Sequence, residues 1–176
     1  MDEYSTAHIP TDIPPGTALP IWRPSARGQN GSIITSPDWI GLYTHWHGGR
    51  TVPCRRQRCK PCEEKLGRRW GGFIGLWNPR SGSQVLWHFP PGVVPTLTAA
   101  LKQRGTVRGL EAVILRTNAR PNGPVLLRLL GNDQQGMVIP DAPMIWHCLC
   151  RIWQLESPME DMTGAVPQSV PFSAGA

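Results

Sequence analysis

Short runs of alternating apolar and polar residues follow one another along the middle of the chain, each bounded by Gly, Pro, Asn or Ser. A period of two sends successive side chains to opposite faces of a strand. Residues 33–46 hold Ile33, Ile34, Trp39, Ile40, Leu42 and Tyr43, and the last part alternates into the turn His47-Gly48-Gly49-Arg50, with 51–54 as a short return strand. Residues 72–77 and 84–89 form a second hairpin about the turn 78–83, and residues 110–117 and 124–130 a third about 118–123. One internal helix is predicted over 93–104, where Leu97 and Leu101 stand four apart and Gly105 is placed to cap the end. A further helix over 144–155 has Asp141 as its expected cap, Pro143 in its first turn and an apolar stripe of Ile145, Leu149, Ile152 and Trp153.

Short strands with one helix among them must hide their edges, and an OB-like five-stranded barrel does so. The expected class is mainly β, with an insert at 45–69 and a C-terminal helix. Composition agrees: Gly and Pro are 19 each among 176 residues, and charged residues are only 17%, which disfavours a helical fold. Residues 1–19 carry prolines without apolar periodicity and read as a flexible arm. Residues 20–155 are expected to form the OB-like domain, and 156–176 read as a disordered acidic tail available to a protein partner. Neither a signal peptide nor a membrane span is legible, so a cytoplasmic protein is expected.

The net charge of +6 conceals an asymmetry. Residues 20–130 hold 17 Lys/Arg against 4 Asp/Glu, a net +13, while the remainder carries one basic and eight acidic residues. Clustered guanidinium groups suit a polyanion, because neutralising phosphates releases counterions.

The sharpest chemical signal is Cys54-x4-Cys59-x2-Cys62, with His45 and His47 upstream. Three thiolates and one imidazole make a closed tetrahedral site, for which Zn2+ is the natural occupant. If Gly48-Gly49 is a two-residue loop, His47 pairs with Arg50 and His45 with Val52, two residues from Cys54. That favours His45 as the fourth ligand, with His47 as the alternate. Four protein ligands leave no open position for water, and the deaminase pattern of H-x-E with P-C-x-x-C is missing. Cys148 and Cys150 are about 200° apart on a helix and read as a buried structural pair.

Aromatics interleave with arginines after the insert. Arg68, Arg69 and Trp70 precede Phe73 and Trp77, Arg80 sits in the following turn, and Trp87 lies on the partner strand. Unpaired bases stack on rings for about 1–3 kcal/mol each while cations follow the phosphates. With Arg50, Arg55, Arg56, Arg58 and Lys60 of the insert, these are the candidate contacts to single-stranded DNA, with RNA as the alternative. The element order, the set His45, Cys54, Cys59 and Cys62, and the run Phe73-Ile74-Gly75-Leu76-Trp77-Asn78 resemble the zinc-containing single-stranded DNA-binding, helix-destabilising proteins of tailed bacteriophages. That resemblance covers about residues 21–130 and implies an OB-fold core acting without catalysis in replication, recombination or repair. The family's basic N-terminal arm has no counterpart here, since 1–19 carries Asp2, Glu3 and Asp12 and no Lys/Arg. Two rivals remain. One is a zinc-stapled interaction subunit of a larger nucleoprotein complex. The other is a zinc nuclease, which wants more carboxylates than Asp38, Glu63, Glu64 and Glu111 supply.

Overall fold

Turn residues cut the chain into short strands, and the computed structural model describes residues 19–25, 29–55, 59–118, 123–131 and 136–155. Within them lie β1 (Ile21–Trp22), β2 (Gln29–Ile34), β3 (Ile40–His47), β4 (Arg50–Pro53), β5 (Arg68–Asn78), β6 (Ser83–Phe89), β7 (Glu111–Arg116) and β8 (Val125–Leu130). The helices are α1 (Lys60–Glu63), α2 (Val94–Arg104) and α3 (Ile145–Trp153), with a 3-10 turn at Pro91–Val93. The arm 1–18, the tail 156–176 and the loop positions 119–122 lie outside the described residues.

All eight strands belong to one mixed sheet in the order β1-β6-β5-β2-β7-β8, with β3 pairing β5 and β4 pairing β3. The fold is mainly β and barrel-like, with α2 between the second and third hairpins as the sequence predicts. The three predicted hairpins supply six strands, and the count rises to eight for two local reasons. Pro37, which has no N–H to donate, helps divide the expected strand 33–46 into β2 and β3. The two-residue β1 runs parallel to β6, pairing Ile21 with Leu86 and Trp22 with Trp87. No ladder joins β8 to β6 among the described residues. The 3-10 turn and α2 meet β8 instead.

β5 organises the molecule. Residues Gly72–Asn78 pair with β6 on one side, while on the other Arg68–Phe73 pair with β3 and Leu76 and Trp77 with β2. At the changeover Thr35 N–H donates to Gly75 O and Gly75 N–H donates to Ser36 Oγ, both at 2.9 Å, so the interrupted ladder leaves no orphan there. One face of β5 and β6 sends Ile74, Leu76, Trp87 and Phe89 into a core closed by Ile34, Leu97, Ala112, Ile114 and Leu127. The other face sends Phe73 and Leu86 against Ile145, Trp146 and Leu149 of α3, together with Ile40 and Leu42 of β3. Two layers of apolar packing therefore enclose the central hairpin.

The C-terminal helix forms over Ile145–Trp153, one residue later than expected and without the Asp141 cap; its N-cap is Met144, with no side-chain cap bond. Tertiary bonds explain the difference. Arg108 donates to the carbonyls of Thr35, Ile139 and Pro140, and Gln84 donates to the carbonyl of Asp141 at 3.0 Å. Residues 137–144 are thereby held across the sheet without helical structure. Pro143 approaches Gly75 so closely that a Cβ there would stand 2.5 Å from its ring.

Candidate metal centre and its basic surround

The β3–β4 hairpin sets the first two ligands. Gly48 and Gly49 have φ of 58° and 77°, the left-handed pair that a two-residue hairpin turn requires. The resulting register pairs His47 with Arg50, Trp46 with Thr51 and His45 with Val52, as the sequence predicts. Cys54 N–H donates to Tyr43 O at 2.8 Å, extending the pairing to the first cysteine. Cys59 is the N-cap of α1, and the N–H groups of Cys62 and Glu63 donate to its carbonyl at 2.8 and 3.0 Å. That single turn brings the second and third sulfurs together. Lys65, at φ 56°, ends the turn and leads the chain into β5, whose Arg68 pairs with His45.

The ligand atoms of His45, Cys54, Cys59 and Cys62 all lie within 4.8 Å of one another. Cys54 Sγ is 3.6 Å from Cys62 Sγ, and Cys62 Sγ is 3.3 Å from His45 Nε2. A tetrahedron with metal–sulfur bonds of about 2.3 Å has sulfur–sulfur edges of about 3.8 Å, so these separations fit one ion at the centre. His45 Nδ1 lies 3.1 Å from the carbonyl of Leu66. A carbonyl only accepts, so Nδ1 carries the proton and Nε2 keeps its lone pair for a metal, the usual outer-shell arrangement for a ligating histidine. His47, the alternate ligand, is engaged elsewhere: its Nε2 is 3.3 Å from Glu64 Oε2.

Charge makes the same point. Burial, followed by the neighbouring Cys54 and Cys59, pushes the Cys62 thiol up to about 12. Burial also opposes ionisation of Cys59, yet backbone N–H groups of Cys62 and Arg55, joined by the Cys62 and Cys54 side chains, hold that thiol below its ordinary value. Three thiols this close resist ionising together unless a cation sits among them. The donor set is compatible with Zn2+ and closed to water. Cys148 and Cys150 are buried on α3 and belong to no second metal group among the described residues.

Comparison with known proteins finds no match. No protein-family model, curated protein or solved structure resembles this chain at a meaningful level. The geometry of the chain itself therefore carries the functional argument.

Around the metal lobe, Arg50, Arg55, Lys60, Arg68 and Arg69 are all exposed. The Arg68 guanidinium lies 4.8 Å from the centre of the Tyr43 ring, a cation–π contact that keeps its charge at the surface. Arg56 and Arg58 lie outside the described residues. Trp70 is half-buried, edge-on to Phe89 at 6.0 Å. Trp77 and Arg80 belong to the far end of β5 and its turn, roughly 27 Å of extended strand from Arg69, so the candidate contacts do not make one patch.

Two candidates need correction. Phe73 and Trp87 are fully buried and offer no face for a base to stack on. Phe73 lies under α3, edge-on to Trp153 at 5.8 Å, and Trp87 pairs with Ile74 and points into the first core. The aromatics of β5 and β6 are thus divided between two packed faces. The sequence reading also missed Trp46, which is 62% exposed. Its signal is its place: it alternates with the ligand His45 on β3 beyond the part of the strand that α3 covers, so its side of the hairpin faces water.

Proposed function

We propose that this protein binds single-stranded DNA without catalysing a reaction, and that a structural zinc ion held by His45, Cys54, Cys59 and Cys62 shapes the binding surface. The observation that carries the proposal is the exposed Trp46 on a metal-stapled hairpin that carries the exposed Arg50 and pairs with Arg68 and Arg69, of which Arg69 shares the Trp46 face while Arg50 and Arg68 lie on the His45 face. A large aromatic face left in water beside guanidinium groups is what a single strand uses: the ring takes a base and the cations take the flanking phosphates. Duplex keeps its bases stacked and offers no such face. Zinc bound at the site would supply charge compensation and a cross-link, with no open position for chemistry. The chain's own residues do the rest. The hairpin register holds Trp46 on the face opposite His45, and the Tyr43 ring steadies Arg68.

Likeness to the zinc-containing phage proteins enters only through the ligand set and the element order. The reading rests on the surface. Its test is a fluorescence titration of the isolated, zinc-loaded protein with single-stranded DNA, single-stranded RNA and duplex. Preference for single strands is expected; equal affinity for duplex overturns it.

A second reading has its own support. Leu126 and Leu130 on the terminal strand β8 are 42% and 45% exposed, an apolar edge suited to a protein partner. A zinc-stapled subunit of a nucleoprotein assembly fits that edge, and it predicts no binding of nucleic acid by the isolated chain. No helix of the described residues is long and apolar enough to cross a membrane.

A further inference from the structure

We propose that the cleft between the metal lobe and the end of α3 is a one-nucleotide slot, holding a phosphate with Arg50, Arg55 and Lys60 and a base against Trp153. The inference rests on the single-strand reading above and names a second contact for it, on a part of the chain outside the barrel.

The cleft encloses about 250 Å3. This is below the roughly 300–1,000 Å3 of drug-sized ligand pockets, so it suits a planar base with its phosphate better than a large cofactor. Its cations come from three separate pieces of backbone: Arg50 at the hairpin turn, Arg55 after β4, and Lys60 on α1. They converge because the metal ligands fold those pieces together, and Cys59 itself lines the cleft. The opposite character comes from Pro53, Pro61 and Trp153. A proline has no N–H, so these walls are flat and poor in donors. A base held there is gripped by stacking rather than read at its edges, which makes the slot tolerant of sequence.

Among the described residues no carboxylate lines the cleft. One stands beside it: Glu64 lies 3.3 Å from His47 and 3.9 Å from Lys60, two residues that do line it. A phosphate entering the slot therefore competes with Glu64 for Lys60. This gives the proposal an unusual handle, a substitution that should improve binding. An acidic peptide would satisfy the cations equally well but has no use for the ring-and-proline walls, and the stacking surface decides for a nucleotide.

The test uses the full-length, zinc-loaded protein and a short oligothymidylate carrying 5-iododeoxyuridine. Irradiation should cross-link the oligonucleotide to Trp153 as well as to Trp46. Glu64→Gln should tighten binding about threefold, and Arg55→Glu combined with Lys60→Glu should weaken it by about tenfold or more, while Lys102→Glu on α2 changes it little. Zinc content is measured for each variant, so a lobe that fails to form is recognised as such, and Glu64→Gln and the cross-link still decide. Unaltered affinity in Glu64→Gln together with cross-links confined to Trp46 overturns the slot and leaves single-strand binding standing. Absence of single-strand binding by the unsubstituted protein overturns both. Capture of a polyglutamate peptide in place of the oligonucleotide assigns the cleft to protein contact and overturns the slot.

Discussion

His45 has two ring nitrogens, and the carbonyl of Leu66 determines which is left for a metal. His45→Ala should therefore abolish stoichiometric zinc binding, with an affinity loss beyond the 10–100-fold typical of outer-shell partners. His47→Ala should retain one equivalent. Elemental analysis of the two purified variants checks this, and equal zinc in both would reject the ligand set. A second histidine makes a different prediction. His88 stacks on Phe73 at 4.8 Å and accepts a hydrogen bond at Nδ1 from Arg23 Nε at 3.2 Å. Burial, then the Arg23 charge, lowers its pKa to about 4. The unfolded chain takes up that proton near pH 6.5, so stability falls as pH drops from about 6.5 towards 4 and this group adds no further loss below. Between pH 7 and pH 5 the expected loss is about 2 kcal/mol. Urea unfolding of wild type and His88→Gln at both pH values isolates it, since metal release affects the two proteins alike.

At the scale of elements, what the sequence disclosed and what it concealed have the same source. The hairpin register was readable because Gly48-Gly49 admits one tight turn, and α2 because Gly105 ends it in a left-handed conformation at φ 74°. Cys54-x4-Cys59-x2-Cys62 was readable because few other chemistries use that spacing. Which face of β5 meets solvent is not legible in the sequence. The run Phe73-Ile74-Gly75-Leu76-Trp77 is apolar on both sides, and a strand of that kind is buried on both sides. Period alone cannot tell a stacking platform from a second core; only the partner α3, some seventy residues away in sequence, decides. Leu149→Ala, at a position of 0% exposure in that second core, should accordingly cost about 2–5 kcal/mol in denaturant unfolding while leaving zinc content unchanged. Removing the metal should do the opposite. The lobe from Cys54 to Arg68 has little apolar content, so chelation should release it and weaken single-strand binding by about tenfold or more, with the far-ultraviolet signal of the sheet largely kept.

For the molecule as a whole, charge is spent unevenly. Arg108 and Arg116 are tied to backbone carbonyls, and Arg23 to His88 and Thr51. These guanidinium groups fasten the fold and contribute less to a phosphate track than a count of arginines suggests. Arg50, Arg55, Lys60, Arg68 and Arg69 remain around the metal lobe. Five phosphate contacts to a single strand imply a log–log salt slope of about −3.5. A titration across salt concentrations giving a slope near zero would remove the electrostatic basis of the proposal. The long strand β5 has one more consequence. Its middle, Gly72–Leu76, lies between two cores, while its first residues, Arg68–Trp70, leave the barrel to meet the metal-bearing hairpin. One continuous strand thus passes from a region that opens only when the whole chain unfolds to one that opens when an ion departs. Amide hydrogens along β5 should record that boundary: chelation accelerates exchange at Arg68–Trp70 and leaves Ile74 as slow as global unfolding allows.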